Sequence, residues 1–189
     1  MKKESPKPAS WGTIRPPLAL LEKPALLALV KDLYQAMPEN RDFLHARFNP
    51  AEGSDAALEQ YRHKIEEQFF PARGFGKLKL AEARKAIRDY SKASGQLAGT
   101  VELMMTYVEN GARFTHEFGD IDDRFYSSVE SMLDELAALL LGEARALYPE
   151  FKYRLAHVQQ MSANIGWGFS DHVEEVVGRL KEELGGSVL

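Results

Sequence analysis

Apolar residues recur at three- and four-residue intervals along most of the chain, and no stretch alternates convincingly at a period of two. That spacing collects side chains on one face of an α-helix. Pro24 suits a first helical turn, where its missing N–H costs nothing. Leu26, Leu27, Val30, Leu33, Tyr34 and Met37 then follow at helical spacing. Pro38 restarts a short helix carrying Phe43, Leu44 and Phe48, which stops at Asn49-Pro50. Ser54 can cap the next, with Leu58, Tyr61, Ile65 and Phe69 on one face until Pro71.

The connection Arg73-Gly74-Phe75-Gly76-Lys77 leads to a helix from about Leu80 to Ser94, closed by Gly95. Leu97, Val101, Met104, Met105, Val108 and Phe114 mark a long helix, with an interruption expected at Asn110-Gly111. Asp120 is placed as the cap of a helix containing Phe125, Val129, Met132, Leu133, Leu136 and Leu140. Phe151, Leu155, Val158 and Met161 carry a seventh. Ser170 is placed as the N-cap of the last, which holds Val173, Val176, Val177, Leu180 and Leu184 and ends at Gly185-Gly186. The pattern predicts an all-α fold of about eight helices. Short loops favour antiparallel neighbours, so the architecture expected is an antiparallel bundle or a short stack of helical hairpins. No repeat of fixed period is visible, which weighs against a regular solenoid.

Residues 1–17, rich in lysine, proline and serine and ending in Pro16-Pro17, offer little periodic apolar surface and read as a disordered tail. A single helical domain is expected over 18–184, followed by a short tail at 185–189. With 189 residues, 44% of them hydrophobic, the chain can bury a sizeable core. It contains no cysteine, which removes disulfides, thiolate metal ligands and cysteine nucleophiles and fits a cytoplasmic protein. No apolar run approaches the roughly 18 residues of a membrane span. The best stretch, Leu18 to Val30, is broken by Glu22, Lys23 and Pro24, so no membrane association is expected. A net charge of −4 argues against a chain-wide nucleic-acid footprint, though not against a local one.

Three segments offer chemistry. From Arg73 to Lys92 the chain holds seven cationic residues (Arg73, Lys77, Lys79, Arg84, Lys85, Arg88, Lys92) against Glu82 and Asp89, a local charge of +5. Arg84, Arg88 and Lys92 form a stripe at four-residue spacing, and Lys77 and Lys79 lie near the helix N-terminus, where free N–H groups attract anions. This predicts a phosphate or nucleic-acid site, although a solvated charged face explains the same run. Gly74-Phe75-Gly76-Lys77 lacks the spacer, the following Ser/Thr and the preceding strand of a P-loop.

The second segment, His116 to Asp123, places one imidazole and four carboxylates in eight positions. His116, Asp120, Asp122 and Asp123 could serve a hard cation and a metal-dependent hydrolase. The EF-hand pattern fails, because Phe125 and Ser131 stand where its glycine and final glutamate belong. Helix capping explains the aspartates equally well. Asp42/His45, Glu59/His63 and His63/Glu67 are single pairs without the repeated Glu-x-x-His of a di-iron bundle. Ser127-Ser128 has no nucleophile-elbow setting. No cofactor is expected.

The third segment is Ile165-Gly166-Trp167-Gly168-Phe169-Ser170-Asp171-His172. Trp167, Phe169, Asp171 and His172 form a candidate interaction loop, with Trp167 as a stacking platform or interface anchor. The competing expectation, favoured here because tryptophans are mostly well buried, is that Trp167 plugs the end of the core against Leu155, Val158 and Val173.

Phe69-Phe70-Pro71, the helix Ala83 to Tyr90, Gly119-Asp120-Ile121-Asp122-Asp123 with Phe125-Tyr126, and Ile165-Gly166-Trp167-Gly168-Phe169 occur in an order that resembles a family of small helical bacterial proteins of unknown function. The resemblance covers roughly Lys23 to Leu184, and Gly-Asp-x-Asp and Gly-Trp-Gly are its most specific parts. Ser170 departs from it, since histidine is expected there, which weighs against an acid–base or metal role. The resemblance implies a helical fold and a bacterial origin; it implies no reaction and brings no functional residues. The function expected is therefore a non-enzymatic interaction module with an unidentified protein partner, ahead of the phosphate-binding and hydrolase alternatives.

Overall fold

The computed structural model describes residues 10–48 and 54–185. Those residues contain nine α-helices, one short 3-10 helix and no strand. The expected stop at Asn49-Pro50, the side chain of the Ser54 cap, the first nine residues and Gly186 onward lie outside this description. The chain divides into two units, residues 1–44 and 45–189, so the boundary falls inside the span read above as one domain.

The first unit contains α1 (Trp11–Ala19), α2 (Lys23–Ala36) and the beginning of α3 (Pro38–Phe48). The segment expected as a tail is thus helical from Trp11. Ser10 stands extended ahead of the helix, and its carbonyl accepts from both the N–H and the hydroxyl of Thr13, at 3.0 and 2.7 Å. Pro16 and Pro17 lie inside α1, where their fixed φ remains compatible with the helix. Met37 is extended, as a residue preceding proline should be, and separates α2 from α3. Neither α1 nor α2 contains a buried residue.

The second unit holds α4 (Ser54–Phe69), α5 (Leu80–Ser94), α6 (Leu97–Phe118), α7 (Asp123–Leu141), α8 (Tyr148–Ser162) and α9 (Phe169–Leu184), with the 3-10 turn Arg145–Leu147 before α8. Its centre is α6, which packs against α4, α5, α7 and α8, while α9 closes the bundle against α7 and α8. Accordingly α6 is buried on several sides, from Val101 and Met105 to Phe114. A helix apolar or small nearly all round has to lie inside.

The expected break at Asn110-Gly111 does not occur, and α6 runs unbroken for 22 residues. Gly111 serves packing instead. A Cβ there would lie 2.6 Å from Val129 Cγ2 and 2.9 Å from Cγ1, so the missing side chain lets α6 and α7 approach. Substituting a helix-interior glycine by alanine ordinarily gains about 1 kcal/mol. Here Gly111→Ala should instead cost about 1–3 kcal/mol by overpacking, and Val129→Ala in the same chain should recover part of it. Chemical denaturation of the three variants checks this; a stabilising single substitution contradicts the close approach.

Candidate functional site

One end of the second unit carries a connected array of aromatic rings. Pro71 terminates α4 directly after Phe69-Phe70. The following loop folds back on that helix end: Leu78 N–H donates to Gln68 O at 2.9 Å, and Gly76 lies so close to the Phe69 carbonyl that a Cβ would not fit. This turn lays Phe75 across Phe114 and Phe118, with ring centroids 5.2 and 4.8 Å apart. Phe70 lies beside the same pair, and the Arg113 guanidinium sits 4.1 Å above its ring. Phe114 continues inward to Phe69 and Phe125.

The next two corners extend the array. Gly119, at φ 83°, ends α6, and Asp122 starts α7 by accepting from Phe125 N–H at 2.8 Å. The cap is therefore Asp122, not Asp120 as expected. The chain leaves Gly119 in a conformation that places Asp122 in the extended pre-helical position, and Asp120 is left to accept from the Tyr126 hydroxyl at 3.4 Å. That hydroxyl also pairs with Thr115 Oγ1 at 2.7 Å, which pins the ring of Tyr126 against the end of α6.

At the corner between α8 and α9, Asn164, Trp167 and Gly168 all adopt left-handed backbone, at φ 68°, 62° and 77°. Such a conformation is costly for a bulky residue and reverses the direction its side chain takes. Trp167 turns outward, 62% exposed, and lies stacked at 6.4 Å and 23° on Tyr126. The plug expected of Trp167 is supplied by Phe169, which is fully buried and meets Tyr126 at 5.3 Å. Ser170 is not the cap either. Gly168 occupies that position without a side-chain hydrogen bond, and α9 begins at Phe169. Asp171 is exposed in the first turn, and His172 turns to α7, its Nε2 3.0 Å from Asp134 Oδ1.

The remaining acidic candidates do not converge. Among the described residues no three His, Asp or Glu side chains are grouped so as to hold a metal ion. His116, Asp120, Asp122 and Asp123 are all exposed along the corner, with Asp122 committed to its cap. The basic stripe is also divided. Arg84 turns onto α7, donating to Ser128 O at 3.1 Å and forming an ion pair with Glu135. Lys79 pairs with Glu82 and Lys85 with Asp89, at 3.1 and 2.6 Å. Arg73, Lys77, Arg88 and Lys92 are exposed.

The sequence pattern did not reveal a second polar feature, an ion network on the flank of α6. Arg154 grips Glu109 through two hydrogen bonds of 2.8 and 2.6 Å and reaches Glu102 at 2.6 Å. Arg62 holds the other oxygen of Glu102 at 2.6 Å. Burial works to raise the Glu102 pKa, but the hydrogen bonds from Arg154 and Arg62 outweigh it and hold the carboxyl below its usual value. The Glu109 hydrogen bonds raise Arg154 above its ordinary value against the effect of burial. A signal existed: Glu102 and Glu109 stand seven apart and are the only charged residues from Leu97 to Ala112 of a long helix, where half-buried charges require partners. The arginines lie 40 or more residues away in sequence.

Comparisons of this chain with protein-family models, curated proteins and solved structures return no match.

Proposed function

We propose that this chain is a non-enzymatic protein-interaction module that docks its partner on the aromatic end of the second unit. The observation that carries this reading is the seating of Phe75, Phe118 and Trp167, which are 60%, 49% and 62% exposed. Each rests against an inner ring, Phe114 for the first two and Tyr126 for the third. Exposed rings held in one orientation lose little conformational entropy when they bind, and tryptophan and arginine are enriched among the residues that dominate binding energy. Arg113, Glu117 and the aspartates of the corner supply a polar, mainly acidic rim. The complementary partner presents an apolar plug flanked by basic side chains. The division of the basic stripe by Arg84 favours this reading over phosphate binding.

Photo-crosslinking in the native cell tests it. A benzophenone side chain placed at Phe75, Phe118 or Trp167 should give a discrete adduct of common mass. The same group at Tyr153, an exposed position on α8 that makes none of these ring contacts, should give none. Absence of adducts at all three end positions, or equal adducts at Tyr153, contradicts the proposal.

A further inference from the structure

A cavity of about 430 Å³ lies in the second unit where the start of α8 meets the end of α9. Ala146, Pro149 and Leu184 supply its apolar wall, and Arg145, Tyr148 and Lys152 its polar groups. No carboxylate lines it. Other cations of this unit, such as Arg84, Lys85 and Arg154, pair with Asp or Glu. Arg145 and Lys152 form no ion pair among the described residues. Arg145 donates through one terminal nitrogen to the Glu183 carbonyl at 2.9 Å, which fixes the guanidinium while leaving its other N–H donors uncommitted. Lys152 is half-buried, its ammonium 5.0 Å over the Tyr153 ring.

Tyr148 is the most telling of the three. It is only 5% exposed, and a tyrosine so enclosed ordinarily has a partner for its hydroxyl. This hydroxyl makes no hydrogen bond among the described residues. Yet no fully enclosed side-chain nitrogen or oxygen there lacks a partner, so the hydroxyl must open onto accessible space, and Tyr148 lines the cavity. Burial raises its pKa, which keeps the phenol a neutral donor.

We infer that this cavity binds a small carboxylic acid with an apolar body, its carboxylate taken by Arg145, Lys152 and the Tyr148 hydroxyl. A planar guanidinium matches the two oxygens of a carboxylate, and the volume falls within the range of small-molecule sites. No side chain caps the first turn of α8, so its free N–H groups add to the attraction for an anion. A cationic ligand would meet two like charges. A neutral apolar one would leave the cations and the hydroxyl unused, and a bare anion would leave the apolar wall wet. None of the lining residues belongs to the aromatic end, so the site is independent of the docking surface proposed above.

Nuclear magnetic resonance of the isotope-labelled full chain tests the inference with octanoate, octylammonium and acetate. Millimolar octanoate should shift the amides of Arg145, Lys152 and Gly185 saturably. Octylammonium keeps the apolar body and reverses the charge, while acetate keeps the head alone; each should bind at least about tenfold more weakly. Tyr148→Phe with Lys152→Gln removes two donors, keeps the wall, and should weaken octanoate by about tenfold with little change in Tm. Phe118→Ala with Trp167→Ala should bind octanoate as the wild type does. No saturable shift in the wild type, equal binding of octylammonium or acetate, undiminished affinity in the Tyr148/Lys152 variant, or binding lost with Phe118 and Trp167 overturns the inference.

Discussion

Phe169→Ala should destabilise the second unit by about 3–5 kcal/mol, the usual cost of removing a large buried aromatic side chain. Trp167→Ala, two residues earlier, should cost below about 1.5 kcal/mol, the scale of one aromatic pair. In a chain of this size the first change lowers Tm by roughly 10 °C and the second by a few degrees. The contrast follows from burial, since Phe169 is fully enclosed while Trp167 is 62% exposed. Fluorescence supplies an independent reading once Trp11→Phe has silenced the other tryptophan. Trp167 emission should be red-shifted and readily quenched. Blue-shifted emission together with a large loss of Tm in Trp167→Ala would reverse the two assignments.

Arg154→Leu carries the second large effect, because it removes the cation shared by Glu102 and Glu109. Breaking a fully buried ion pair costs about 3–5 kcal/mol; with side chains from a fifth to a third exposed, about 2–3 kcal/mol is expected at neutral pH. The loss should depend on acidity. The folded pKa of Glu102 lies below its ordinary value, so its contribution is fully present above the unfolded value of about 4.3 and is lost as pH falls through the folded value. The stability gap between wild type and Arg154→Leu should therefore stay level from neutral pH down to about 4.3 and narrow as pH falls further through the folded value. Denaturation curves measured over that interval decide the matter. A gap that stays constant would assign the effect to the lost packing of the arginine over Phe151 rather than to charge.

The helices were legible because their signal is local. Leu80 to Ser94 closing at Gly95, and the apolar faces of α7 and α9, follow from spacing and terminator residues within one or two turns. The caps were less legible. Asp120 and Asp122 have the same side chain, and only the backbone path after Gly119 decides which one reaches the Phe125 N–H. At the candidate site, the Gly-Trp-Gly element could be located from sequence, but not the direction in which its ring would turn.

What the sequence determined by itself is therefore the class of fold, the positions of most helices and, in the second unit, the side of each that faces inward, because a 3.6-residue period expresses burial along a single element. The tertiary structure decided which apolar residue at the α8–α9 corner became core. Left-handed backbone at Trp167 sends its ring outward over Tyr126 and leaves Phe169 to fill the interior. It also decided the pairing of charges. Arg84 meets Glu135 and Arg154 meets Glu102 across 51 and 52 residues, and a helical pattern carries no information about which helix lies opposite. Those pairings depend on the packing of α5, α7 and α8 around α6, which is set by close approaches such as Gly111 against Val129 rather than by the period of any one segment.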